Sequence, residues 1–134
     1  MAVVTEVQIT THDGFDRLEF EIGGEMQVGW DVRYVESPRS QGSGDPVEVE
    51  GRAVLEVVLE PVVYPFDAPE GAEPYDGPKT LSPTVTSAIV HVVNDTIYEG
   101  RHVFFVGIDE VLPFRVQRAD NPQRVVLEVL HPAD

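Results

Sequence analysis

The stretch HDGFDRLEFEIGG, residues 12–24, decides how the rest of the chain is read. Leu18, Phe20 and Ile22 fall on one side of a two-residue period and Arg17, Glu19 and Glu21 on the other. That alternation is the pattern of an antiparallel strand with one face in a core and one in water. Asp13-Gly14 just before it is a tight-turn pair, because the Asp carboxylate bonds nearby backbone N–H groups and Gly tolerates positive φ. A turn running into a strand therefore accounts for the opening His12, Asp13 and Asp16 without any chemistry.

Working outward, residues 3–11, 27–36, 53–61, 85–94, 102–110, 114–119 and 124–131 repeat the same signal. Each is short, rich in β-branched or aromatic residues and close to a period of two. In 27–36, Val28, Trp30, Val32 and Tyr34 share the apolar side, which assigns Trp30 and Tyr34 to the core. Segments 85–94 and 102–106 are apolar on both sides and read as central or doubly covered strands, which leaves the more charged strands at the edges. No stretch of ten residues holds a helical stripe, and 11 Gly and 11 Pro punctuate the strands. The expected fold is all-β: a single-domain antiparallel β-sandwich over residues 1–134, with about eight to ten strands, since one sheet of that width would leave an apolar face bare.

Two Pro/Gly-rich breaks, residues 37–46 and 65–83, interrupt the strands. Loops of this length either carry function or cover strand edges. Residues 15–22 and 122–129 also echo one another, each setting an Arg before an alternating strand, as corresponding strands of two half-domains do.

Charge narrows the partners. Nine basic residues against 24 acidic ones give a net charge of −15, which repels phosphate backbones and anionic headgroups and argues against nucleic acid and membrane surfaces. With no Cys there is neither a disulfide framework nor a thiol nucleophile. No apolar run is long enough to span a bilayer, and the first eleven residues lack the positive and apolar regions of a signal peptide.

Several residues are weighed as sites. Arg17, Arg115, Arg118 and Arg124 either pair with Glu19, Glu21 or Glu128 across strands or present guanidinium forks to a carboxylate ligand such as a peptide stem. Among the aromatic residues Trp30, Tyr34, Tyr64, Tyr75 and Tyr98, the loop residue Tyr75 and the turn residue Tyr98 are the surface candidates for stacking on a sugar. Oxygen ligands from Asp13, Asp16 and the Asp76 loop suit calcium better than a first-row metal, yet no known calcium-loop pattern surrounds them, and no cofactor is implied. His91 and His102 fall on neighbouring strands, near enough in the pattern to meet, but without a nucleophile beside them. Asp109 with Glu110, or His12 with Asp16, would be the acid/base pair of a small hydrolase or lyase. GSGDP at 42–46 lacks the Lys and helix of a phosphate cradle, and the NDT sequon at 94–96 reads as turn residues.

The run TEVQITTHDGFDRLEFEI, the middle section with GSGDPVE, YDGP at 75–78, and GIDEVLPFRV before NPQRVVLEV together resemble the AMIN-like domain of actinobacterial envelope proteins and lipoproteins. The resemblance spans almost the whole chain. It implies a β-sandwich related to the AMIN domain of cell-wall amidases and secretins. It also implies a non-catalytic module that localises its protein in the envelope by binding peptidoglycan, another wall glycan or an envelope protein. Members typically follow a signal peptide or lipobox Cys and a linker; none is seen in this chain, so an extracytoplasmic location is implied by the resemblance alone. No catalytic residue carries over. A purely structural or oligomerising domain is the remaining alternative.

Overall fold

The computed structural model describes residues 1–133, among which there are nine strands, one 3-10 turn and no α-helix. In chain order the strands are β1 (Ala2–His12), β2 (Phe15–Gly24), β3 (Gly29–Val35), β4 (Ala53–Glu60), β5 (Thr80–Leu81), β6 (Ile89–Tyr98), β7 (Arg101–Ile108), β8 (Phe114–Ala119) and β9 (Arg124–Leu130), with the turn at Pro65–Asp67 between β4 and β5. They form a four-stranded sheet, β1-β2-β9-β8, and a five-stranded sheet, β3-β4-β7-β6-β5. All the pairings are antiparallel. The expected sandwich is present.

Alternation builds the interior. Leu18, Phe20 and Ile22 of β2 and Val125, Leu127 and Val129 of β9 point inward from one sheet. Leu55, Val57 and Leu59 of β4 and Phe104, Val106 and Ile108 of β7 meet them from the other. Phe20 and Phe104 touch across the middle with ring centroids 4.6 Å apart. Trp30 and Tyr34 pack against this core from β3, as their spacing predicts. On one flank Tyr34 joins β3 to the segment between β7 and β8, accepting from Leu112 N–H at 2.8 Å and donating to Leu112 O at 2.6 Å.

The two long breaks both act as covers. Residues 36–50 lie over the outer side of the five-stranded sheet, where Val35, Val47 and Val49 pack on Val54, Val58, Val93, Val103 and Phe105. This second apolar cluster explains why β4, β6 and β7 are greasy on both faces. Gly107 lets the loop lie flat, because a Cβ there would strike the Glu50 carbonyl. Residues 61–83 close the opposite flank. Val63 N–H donates to Ala2 O at 2.9 Å and Tyr75 N–H to Val4 O at 2.8 Å along the edge of β1, while β5 pairs with β6.

Three expectations change. The strand read over 85–94 is shifted to 89–98, because the N–H groups of Ser87, Ala88 and Ile89 turn to bond the Asp16 carboxylate before the ladder begins. Asn94, Asp95 and Thr96 are accordingly strand residues with a bulge, and no turn. The echoing segments are hydrogen-bonded neighbours in one sheet, β2 with β9, instead of counterparts in two halves. Finally, β2 lies inside its sheet yet carries Arg17, Glu19 and Glu21, so charge marks the outer face and not the edge.

The four-stranded sheet also sets the direction of the chain. β1 begins opposite Gly24 and β9 finishes opposite Phe15, so Ala2 and Leu130 lie at opposite ends of it.

Candidate functional site

On the outer face of the four-stranded sheet, residues 70–73 approach the Gly23 end, where Ala72 packs, and most of the rest is open to solvent. Glu6, Gln8, Thr10 and His12 of β1, Arg115 and Gln117 of β8, and Leu130 of β9 are exposed there. Register aligns the outward side chains into rows. One row reads Thr10, Arg17, Glu128, Arg115, and the next toward the hairpin reads His12, Phe15, Leu130. The row on the far side ends in Glu6, Glu21 and Arg124.

Glu128 is the centre of this surface. Though it faces outward it is only 3% exposed, because two arginines fold over it. Arg17 donates to Oε2 from Nε at 2.9 Å and from Nη2 at 2.6 Å, and Arg115 Nε donates to Oε1 at 2.5 Å. Burial pushes the Glu128 carboxyl up, but hydrogen bonds and charge from Arg17 and Arg115 outweigh it and hold the group below the usual carboxylate value. Glu19 Oε1 also lies 4.0 Å from Arg17 Nη1, so the two guanidinium groups stand against two carboxylates and the cluster is balanced in charge. Neither terminal nitrogen of Arg115 has a hydrogen-bond partner among the described residues, so that part of its fork faces water.

Two hollows flank the Arg17-Glu128-Arg115 row. Phe15, Pro113, Phe114 and Leu130, with Arg115 and Glu128 on the rim, line a mostly apolar recess of about 330 Å³. Glu6, Gln8, Glu19, Glu21 and Arg124 line an acidic one of about 180 Å³. Arg124 is held there by the carbonyls of Pro122 and Asp120, at 3.2 and 3.3 Å. One face thus offers a cation beside an apolar hollow at one end and carboxylates at the other, a surface suited to an extended, amphipathic ligand. A larger hollow, about 1090 Å³, lies on the covered side between β4 and residues 47–52, lined by Glu36, Glu48, Glu50 and Arg52 among others.

Of the four arginines named from sequence, Arg17, Arg115 and Arg124 share this face. Arg118 does not: it points to the flank between the sheets, its guanidinium 5.1 Å from the Trp30 ring centroid and its Nη2 donating to Val28 O. Tyr75 and Tyr98 also lie elsewhere. The Tyr75 hydroxyl donates to Pro78 O at 3.0 Å, and burial, then Glu6 and Asp76, push its phenol up. Tyr98 ends β6, and its ring packs over Gly42 of the first long loop.

The carboxylates considered for calcium do not converge. Asp13 caps the hairpin, where Gly14 adopts φ 89°, and Asp76 follows Tyr75 beside Val4, roughly 20 Å of strand away from Asp16. Asp16 itself points inward and is fully buried. Its Oδ2 accepts from the N–H groups of Ser87, Ala88 and Ile89 at 3.0, 2.6 and 3.0 Å, and its Oδ1 contacts Thr11 Oγ1 at 2.7 Å and His131 Nε2 at 2.8 Å. Burial alone raises this carboxyl, but the bonds from Ile89, Ala88, Thr11 and His131 bring it below the ordinary value. It is a tie between the sheets. Among the described residues no group of three or more His, Cys, Asp or Glu is placed to hold a metal ion.

Of the candidate acid/base pairs, His12 and Asp16 separate. His12 faces outward and stacks on Phe15 at 5.0 Å, away from the inward Asp16. Asp109 pairs with Arg52 at 3.4 Å. His91 Nδ1 accepts from Glu50 N–H at 3.0 Å, whereas His102 Nε2 meets Asn94 Oδ1 at 2.7 Å, and the register sets the two rings several residues apart. Sequence reasoning missed Glu128 as a buried centre and Phe15 with Leu130 as a recess. The β2–β9 register that assembles them was within reach of the echo, had it been read as a pairing.

A family profile described as AMIN-like domain matches residues 2–131. No curated protein and no solved structure matches the chain.

Proposed function

The chain belongs to the AMIN-like domain family, and from that premise we propose that it is a non-catalytic binding module of the cell envelope, outside the cytoplasm. In this reading it holds peptidoglycan, another wall polymer or an envelope protein against the open face of the four-stranded sheet. AMIN-like domains are a cell-wall-associated binding type, which supports the class of partner. The observation that carries the site is the Arg17-Glu128-Arg115 row. On a chain of net charge −15, three of nine basic residues gather on one largely open face. The open fork of Arg115 beside the Phe15 and Leu130 hollow suits a peptide stem, which carries carboxylates and methyl groups on one backbone. Binding is favoured over turnover because Glu128, the buried carboxylate here, is occupied by two arginines and has no nucleophile beside it.

Co-sedimentation with purified sacculi tests this. We expect retention of the wild-type chain, release of no soluble muropeptides, and at least about tenfold weaker retention for the Arg115→Ala, Arg124→Ala double variant. Soluble fragments in the supernatant would favour a hydrolase or lyase. Neither retention nor fragments, with self-association in analytical ultracentrifugation, would favour an oligomerising domain.

A further inference from the structure

The outer edge of β1 is half covered and half open. A two-residue hairpin turn closes on a doubly bonded pair, so His12 and Phe15 exchange both backbone bonds, and by alternation Thr10, Gln8 and Glu6 also turn theirs toward β2. The other side of β2 agrees. Ile22 N–H donates to Gln123 O and His131 N–H to Gly14 O, so the even-numbered residues of β2 face β9 and the odd-numbered ones face β1. The N–H and C=O groups of Val7, Ile9 and Thr11 therefore point out of the sheet. An extra residue at Thr5 reverses the phase, and beyond it Ala2 and Val4 face the edge, where their carbonyls accept from Val63 and Tyr75 at 2.9 and 2.8 Å. No backbone group among the described residues does the same for Val7, Ile9 or Thr11.

Sheet edges are normally blunted by shortness, Lys, Pro, a bulge or a cover. β5 has two residues, and the flank shared by β3 and β8 is crossed by the bonds of Tyr34 to Leu112 and of Arg118 to Val28 O. Residues 6–12 contain neither Lys nor Pro and keep a regular register. From Val7 to Thr11 they leave about 14 Å of ladder without a partner.

What flanks this edge defines its occupant. On the inner side Val7 and Ile9 pack against the core but are only half-buried. On the outer side Glu6 and Gln8, with Glu19 and Glu21 of β2, line the acidic recess, and neither Glu6 nor Glu21 has an ion-pair partner among the described residues. A strand laid against β1 sends alternate side chains to these two sides. Apolar ones complete the cover over Val7 and Ile9, and Lys or Arg at the positions between them reach the carboxylates.

We propose that the β1 edge at Val7, Ile9 and Thr11 is a docking site for an extended segment of another protein that alternates basic and apolar side chains. The segment joins the sheet as a fifth strand. Such docking engages the edge of the sheet and not the arginine row on its face, so it is independent of wall binding. A second copy of this chain is a poorer occupant, because β1 has no Lys or Arg and each copy carries a net charge of −15.

Titrating ¹⁵N-labelled chain with the capped heptapeptide Lys-Val-Lys-Val-Lys-Val-Lys tests it. We expect saturating shifts over residues 6–12, slowed solvent exchange of the Val7, Ile9 and Thr11 amides, and at least about tenfold weaker binding of an isomer with its three valines together. Val7→Pro removes one docking N–H and no bond of the β1–β2 ladder. It should bind about tenfold more weakly while the spectrum away from β1 stays that of the folded chain. Glu6→Gln, on the exposed side, should weaken binding about threefold and leave the fold untouched. Arg115→Ala, three strands away, should bind the peptide as wild type does, which keeps this outcome apart from the sacculus result. The proposal is overturned by the absence of saturating shifts over residues 6–12, by equal binding of the two peptides, or by a folded Val7→Pro chain that binds as tightly as wild type. It is also overturned if those three amides become protected without peptide as the protein concentration rises, which would give the edge to a second copy.

Discussion

On the five-stranded sheet the outward side chains Val54, Val58, Val93, Val103 and Phe105 are sealed under Val35, Val47 and Val49; on the four-stranded sheet the outward Arg17, Glu128 and Arg115 are roofed only by each other. Both solutions bury the middle of an outer face, one with a loop and the other with long charged side chains whose stems shield what lies beneath. The lesson concerns where a surface remains negotiable. A face sealed by valines under a loop has no spare hydrogen-bonding capacity, whereas a face closed by arginines still has donors pointing outward.

The sharpest way to break this contrast is to hollow out the sealed side. Phe105 is fully buried beneath the loop, so Phe105→Ala is expected to cost about 4 kcal/mol in urea denaturation and to speed hydrogen exchange across residues 47–50. Val126, its nearest counterpart on the other outer face, should lose no more than about 2 kcal/mol as Val126→Ala. Equal losses from the two would mean that the faces are not built differently.

Acid should distinguish the sheets next. Burial lowers His102 of β7 from 6.5 to about 4, so between those values the unfolded chain binds a proton that the folded chain refuses. Stability is therefore lost as pH falls from 6.5 toward 4, by up to about 3 kcal/mol, and a His102→Gln variant should show a flatter profile over that range. Asp16 and Glu128, in the four-stranded sheet, have folded values below their unfolded 3.8 and 4.5. Their contribution is present above those unfolded values and disappears as the pH falls through the lower folded ones, so it comes later in an acid titration followed by tryptophan fluorescence. The smallest expected effect is on the open face. Glu128→Gln keeps the shape but removes the charge between a partly buried and an exposed arginine, and should cost about 1 kcal/mol while loosening Arg115.

The strands, their inward residues and the sandwich were legible because alternation is a local property. Pairing was less so. That β2 lies against β9 depends on which strands close in space, and a repeated Arg-strand pattern is equally compatible with neighbours or with distant equivalents. The start of β6 was misplaced for a related reason. Val85 to Ala88 alternate acceptably, but a carboxylate more than seventy residues away captures the N–H groups of residues 87–89, and no local pattern announces that. Asp16 shows the same limit. Its position in the period puts it on the inner side with Leu18, and only the fold reveals that the inner side there is lined with N–H donors instead of hydrocarbon. Among the candidate sites, three of four arginines fell on one face because strand period governs them; Arg118 sits one residue out of phase with Arg115 and Gln117 and went to the flank.

The run of the chain through the four-stranded sheet has a mechanical corollary. Strands β1 and β9 point the same way on either side of β2, with Ala2 and Leu130 at opposite poles. A tug applied at those two points loads both ladders along their length, so that many bonds must yield together instead of peeling open singly. A bead strung in this manner between an anchor and a load would resist extension far better than the same bead pulled from one pole.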